Sequence, residues 1–189
     1  MKINLECVPC YVNQALDASE YAEMTEKERW KTIRTVCKEL SNSNEKTPAA
    51  KIGQKIHKIV RDNSETGDPY RKKKELSNKK AKEYFEDFLT KVNRSENPVN
   101  DAAKLAAAGN IVDFGPRGGF DIKATLEDGL AEDFAINHWK SFAERLNNAK
   151  KLLYFADNSG EIIYDELFLK TLLRETPVEE IMLVVKDGP

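Results

Sequence analysis

Asp157, Asn158, Ser159, Gly160 and Glu161 stand in the stretch LLYFADNSGEIIYDELFLK, directly after an aliphatic run and directly before a run of helical periodicity. Two adjacent side-chain oxygens, one carboxylate and one amide, suit hard divalent cations such as Mg²⁺ or Mn²⁺ better than Zn²⁺. Such a cation usually keeps positions open for water and a substrate phosphate. Gly160 keeps the turn open, Ser159 is placed to cap the following helix, and the first N–H groups of that helix suit an anion. Asp, Asn and Ser are also ordinary turn and capping residues. The motif therefore gains meaning from what else is aimed at it.

The elements on either side supply that. KLLYFA reads as a buried strand by length and composition, GEIIYDELFLKTLLRE as a helix, and EIMLVV as a second buried strand. Strand, helix and strand in this order make a βαβ unit, whose strands run parallel and end at the same sheet edge. Asp157-Asn158 and Lys186-Asp187 are therefore expected close together, at the carboxyl edge where open α/β sheets usually bind ligands.

Upstream, the chain reads as helices. Thr25 with Glu28 has the pattern of a capping box, and Trp30, Ile33, Val36, Cys37 and Leu40 follow at helical spacing. Thr47-Pro48 opens another helix with Ile52, Ile56, Ile59 and Val60 on one face. DNSETGDP breaks the pattern, and a long charged helix follows with Tyr84, Phe85, Phe88, Leu89 and Val92 as its apolar stripe. After Pro98 the character changes. DAAKLAAAGN predicts a small-residue helix ended by Gly109, IVDFGPRGGF an extended segment entering a turn-rich loop, and two short helices lie near 125–134 and 138–148. The expected division is a helical domain over 1–97 and an α/β domain over 98–189.

The totals exclude several classes. Lys and Arg number 30 against 32 Asp and Glu, so the net charge of −2 supplies no field for drawing in nucleic acid or an anionic membrane. No apolar stretch approaches the roughly 20 residues of a membrane span. Three cysteines, an odd number, argue against a disulfide framework and fit a reducing compartment, so a cytoplasmic location is expected. Cys7 and Cys10, in CVPC, are half of a four-ligand zinc site, with only Cys37, His57 and His138 elsewhere to complete it. No strand precedes them, which disfavours a thioredoxin-like motif; packing on the first helix, metal binding and redox chemistry stay open. Cys37 reads as core. The two histidines read as structural or surface residues, which disfavours a Ser-His-Asp hydrolase. YRKKK with Lys79 and Lys80 reads as a solvated helix face or as a receiver of phosphate. GPRGGF is neither a P-loop nor a dinucleotide fingerprint.

Taken in order, CVPC, GDPYRKKKELSN, AAAGNIVDFG, FADNSGE and VVKDGP resemble the archaeal and bacterial branch of the damage-control phosphatase family, from residue 7 to the last residue. The resemblance implies an α/β fold with a helical N-terminal region followed by a Rossmann-like α/β/α sandwich. It implies a metal-dependent phosphatase acting on small phosphorylated metabolites, whether sugar phosphates, nucleotides or phosphorylated cofactors. It places Asp157 and Asn158 on the divalent cation (Mn²⁺, Co²⁺, Ni²⁺ or Mg²⁺), Asn110 and Asp113 in a second active-site motif, and Lys186 against substrate phosphate. Asn110, Ser159, Glu161 and Lys186 are the substrate-binding candidates, and Asp113 the candidate for positioning or deprotonating water. A phosphoaspartyl route through Asp157 stays open. The DNS turn lacks the second acid of the DxD pattern of haloacid-dehalogenase phosphatases.

In that family a further aspartate ligand and more strands follow KDGP. Two parallel strands leave an open apolar edge unless the segment near Ile111 and Val112 covers one side. The sandwich thus looks incomplete at its C-terminus, and the expectation is a longer protein of about 280 to 300 residues with two domains. Two other readings are a non-catalytic module in which CVPC holds a metal or partner, and a Rossmann-like methyltransferase. The absence of an early glycine-rich strand-turn disfavours the latter.

Overall fold

The structure, a computed structural model, describes residues 2–112 and 121–186. Contacts divide them into two units, 2–73 and 74–186, with the division in the first turn of a helix over Arg71–Glu83.

The first unit is built on α1 (Cys7–Tyr21), α2 (Glu26–Ser41) and α3 (Ala49–Asp62). The capping box forms: Thr25 accepts from the Glu28 N–H at 3.4 Å, and its own N–H donates to the Glu28 carboxylate at 2.8 Å. Ile52, Ile56 and Val60 are buried as their spacing requires, against Tyr11, Ala15, Ala18 and Val36. The Tyr11 hydroxyl donates to the Ala49 carbonyl at 2.7 Å, tying α1 to the start of α3. Cys37 is exposed, contrary to the core position expected of it. The buried line of α2 runs through Thr32 and Val36, and Cys37 lies one helical step, about 100°, beyond it.

The second unit begins with α4 (Arg71–Glu83) and α5 (Phe85–Asn93), where the sequence predicts one long helix. The break is at Tyr84, with φ −106° and ψ −2°. The Ala81 carbonyl explains it: it accepts from the Tyr84 N–H at 3.4 Å and from the Tyr164 hydroxyl at 3.0 Å, so a side chain enters the helical ladder. Ala81, Phe88 and Val92 join the core of this unit with Leu105, Leu126, Tyr164, Leu167 and Leu172.

Then come α6 (Pro98–Val112), α7 (Ile122–Ala131), α8 (Trp139–Leu146), β1 (Lys151–Phe155), α9 (Glu161–Glu175) and β2 (Glu180–Val184). Gly109 does not end α6, and Ile111 and Val112 are helical rather than extended. A Cβ at Gly109 would lie 3.2 Å from the Tyr164 ring and 3.7 Å from the Glu161 Cα. This glycine serves close approach of α6 to the first turn of α9.

The βαβ unit forms as read: β1 and β2 pair in parallel from Lys151↔Glu180 to Phe155↔Val184. Leu152, Tyr154 and Ile181 pack toward the core, and the Tyr154 and Phe168 rings lie 6.2 Å apart. The other face is open, with Leu153, Phe155 and Met182 at 53%, 70% and 61% exposure. β1 is therefore covered on one face only and β2 only at Ile181, neither being buried as its composition predicts, and the helical residues 111–112 add no strand to the sheet. Among the described residues, no helix is long and apolar enough to cross a membrane.

Candidate active site

The chain leaves β1 at Phe155, turns through Asp157 to Gly160, and enters α9 at Glu161. Gly160 has φ +89°, a left-handed conformation that disfavours any side chain. It is also the N-cap of α9, so the cap carries no side-chain hydrogen bond, and Ser159 does not take the capping role expected of it. The turn is held from elsewhere: the Gly160 N–H donates to Asn78 Oδ1 on α4 at 2.6 Å, and a Cβ at Gly160 would meet the Ser77 Cβ at 3.4 Å. Ser77 and Asn78 carry no local sign of this role beyond closing the GDPYRKKKELSN motif.

Two side-chain oxygens converge on one cation. Lys186, two residues past β2, pairs with Asp157 Oδ1, and its Nζ lies 3.4 Å from Asn158 Oδ1. The Asp157 and Lys186 side chains are 51% and 60% exposed, so this ion pair contributes at most about 1 kcal/mol and is readily exchanged for a ligand. Asn158 Nδ2 donates to Glu161 Oε1 at 3.0 Å, which fixes the amide with its oxygen toward Lys186.

Behind this surface lie two buried carboxyls. Glu161 is 3% exposed, and burial pushes its carboxyl above the usual range, assisted by the charges of Asp157 and Asp165 and opposed by Asn158 and Lys186. Asp165 is likewise buried and pushed up, chiefly by burial, although it accepts from the Tyr154 hydroxyl at 2.6 Å. An acidic group in the first turn also complements the positive end of α9.

The structure thus gathers Asp157, Asn158, Glu161 and Lys186 into one contact network, with Ser159 in the same turn. Asn110 follows Gly109 on the helix end nearest Glu161, exposed, its amide donating to the Ala106 carbonyl at 3.3 Å. Asp113 and Asp187 lie outside the described residues. No cluster of three or more His, Cys, Asp or Glu side chains able to hold a metal occurs among the described residues. The donor set of Asp157 and Asn158 nevertheless fits a hard divalent cation. Both are oxygens, and the ammonium of Lys186 already marks the point they share.

Fold and site together define an α/β protein with a charged cluster at the carboxyl edge of a parallel βαβ unit, the edge where such sheets usually bind ligands. Residues 3–189 match the model of the damage-control phosphatase ARMT1-like domain, and the chain belongs to that family. It is 30% identical to an uncharacterized protein of Methanocaldococcus jannaschii, covering 100% of this chain and 64% of that protein. It is 28% identical to a damage-control phosphatase of Pyrococcus horikoshii, covering 100% and 65%. A crystal structure of a DUF89 family protein from Pyrococcus horikoshii superposes with a TM-score of 0.85 at 25% identity, covering 100% of this chain and 66% of that one. The chain thus spans a little under two thirds of the length of these relatives.

Proposed function

We propose that this chain carries the phosphoryl-binding and cation-binding part of a divalent-metal-dependent phosphatase acting on small phosphorylated metabolites. The observation that carries the reading is the convergence of Asp157 Oδ1 and Asn158 Oδ1 on Lys186 Nζ at the shared strand edge. Family membership and the name damage-control phosphatase borne by relatives support it.

Asp157 and Asn158 would hold the cation, Mn²⁺, Co²⁺, Ni²⁺ or Mg²⁺, which when bound supplies Lewis-acid polarisation of the phosphoryl group. Lys186 leaves its exposed pairing with Asp157 and meets a phosphoryl oxygen, offsetting negative charge as it builds there. Asn158, fixed by Glu161, keeps its oxygen aimed at the site. Asn110 and Ser159 are assigned to the substrate's remaining groups, the buried Glu161 to holding Asn158 rather than to the substrate contact expected of it, and Asp113 to positioning the attacking water.

The test is hydrolysis of an aryl phosphate by the purified chain in EDTA and then in Mn²⁺, Co²⁺, Ni²⁺ or Mg²⁺, beside Asp157→Ala. Metal-dependent turnover that vanishes in the variant is expected. Turnover indifferent to EDTA and to the substitution would overturn the reading.

A further inference from the structure

Cys7 and Cys10 take no part in the proposed phosphatase chemistry, and their setting can be considered by itself. Cys7 is the first residue of α1 and Cys10 the fourth, so the two thiols share the opening turn of one helix. Residues three apart on a helix have Cβ atoms about 5–6 Å apart, whereas a disulfide needs roughly 3.5–4.5 Å. The turn must therefore tighten by an ångström or two.

This turn is suited to do so. It already starts in tight i to i+3 bonding, Cys7 N–H to the Asn4 carbonyl and Val8 N–H to the Leu5 carbonyl, both 3.2 Å. Pro9 between the cysteines has no N–H to lose. The helix behind is fixed by Tyr11 on the Ala49 carbonyl, and the segment ahead by Ile3 N–H on the Thr47 carbonyl at 3.1 Å. Strain from closing the bond thus stays local.

The two sulfurs are unequal in access. Cys10 is exposed, and Gln14 Nε2 donates to its sulfur at 3.6 Å. Cys7 is half-buried against the helical core, donates to Asn4 Oδ1 at 2.9 Å and accepts from the Asn4 N–H at 3.4 Å. One thiol faces solvent and the other, one helical turn away, is half-buried. This is the arrangement of an attacking and a resolving cysteine.

We infer that Cys7 and Cys10 form a dithiol centre that exchanges with small-molecule disulfides and closes reversibly into a disulfide within α1. The Cys10 thiolate attacks an external disulfide RSSR, forming a mixed disulfide and expelling one thiolate RS⁻. The Cys7 thiolate then attacks the Cys10 sulfur, forming the Cys7–Cys10 bond and expelling the second RS⁻. The two protons released by the cysteines end on the two RS⁻ groups. Two electrons pass from the dithiol to RSSR, giving two RSH.

The experiment uses the full chain carrying Cys37→Ser, which removes the third thiol at an exposed position. It is equilibrated, metal-free, across a series of oxidised to reduced glutathione ratios, then alkylated and weighed intact. Both thiols should disappear together with no glutathione retained, dithiothreitol should restore both, and peptide mapping should link Cys7 to Cys10. Adding Cys7→Ser should leave one glutathione on Cys10, because nothing resolves it. Glutathione retained on Cys10 while Cys7 is intact, linkage between chains, or thiols that stay free in glutathione but are protected by added Zn²⁺ would each overturn the inference. The last would mark a metal pair instead.

Discussion

The two faces of β1 carry similar residues and have opposite surroundings, and Ile181 and Met182 of β2 follow the same division. On one, Leu152, Tyr154 and Ile181 meet the core to which α9 contributes Tyr164, Leu167 and Leu172, none of these three measurably exposed. On the other, Leu153, Phe155 and Met182 are more than half exposed. The difference teaches that the site is positioned from the α9 side. Glu161 and Asp165 reach back from the turn into the buried layer, and α4 clamps the turn through Asn78. Substitutions on the covered side should therefore disturb stability and site together, and those on the open side neither.

The largest effect is expected at Leu167. Leu167→Ala empties a fully buried position and should cost about 2–5 kcal/mol in denaturant unfolding. Next, Asn78→Ala strips the Gly160 N–H of its partner, at a cost of about 1–3 kcal/mol. It should also lower kcat for aryl phosphate more than it changes KM, because the turn rather than a substrate contact is loosened. Gly160→Ala forces a side chain into a left-handed conformation and should cost roughly 1–2 kcal/mol, read from the same unfolding curves.

A smaller effect concerns pH. The buried Asp165 binds its proton more tightly folded than unfolded, so its contribution to stability is complete below the unfolded carboxylate range and is lost as pH rises through the raised folded value. Asp165→Asn should flatten that decline in a series of Tm against pH, leaving the part due to Glu161, which is shifted the same way. An unchanged slope would remove Asp165 from the account. The smallest effect is expected on the open face: Phe155→Ser and Met182→Ser should each change stability by no more than about 0.5 kcal/mol. A loss comparable to that of Leu167→Ala would break the comparison.

The parallel strands, the helix between them and the meeting of Asp157 with Lys186 were legible because each rests on local pattern and the geometry of a crossover connection. What escaped depends on contacts distant in sequence. The clamp from Asn78 to Gly160 spans 82 residues, and the break at Tyr84 follows from Tyr164, which reaches Ala81 across 83. Gly109 carried a local sign of a helix end that tertiary packing against Tyr164 overrode. The apolar runs of β1 and β2 predicted burial on both faces, yet composition does not record which face has a neighbour. Cys37 was misplaced because apolar spacing on α2 admits more than one face, and packing chose the line through Thr32 and Val36.

Asp157, Asn158 and Lys186 are proposed to bind a divalent cation and a phosphate at one place. Calorimetric titration of the chain with inorganic phosphate, with and without Mn²⁺, tests it without requiring turnover. Mn²⁺ should tighten phosphate binding, and phosphate should tighten Mn²⁺ binding by the same factor. Asp157→Ala should abolish this coupling, and Lys186→Met should weaken phosphate binding while leaving Mn²⁺ bound. Phosphate affinity that is the same with and without Mn²⁺, or coupling that survives Asp157→Ala, would contradict it.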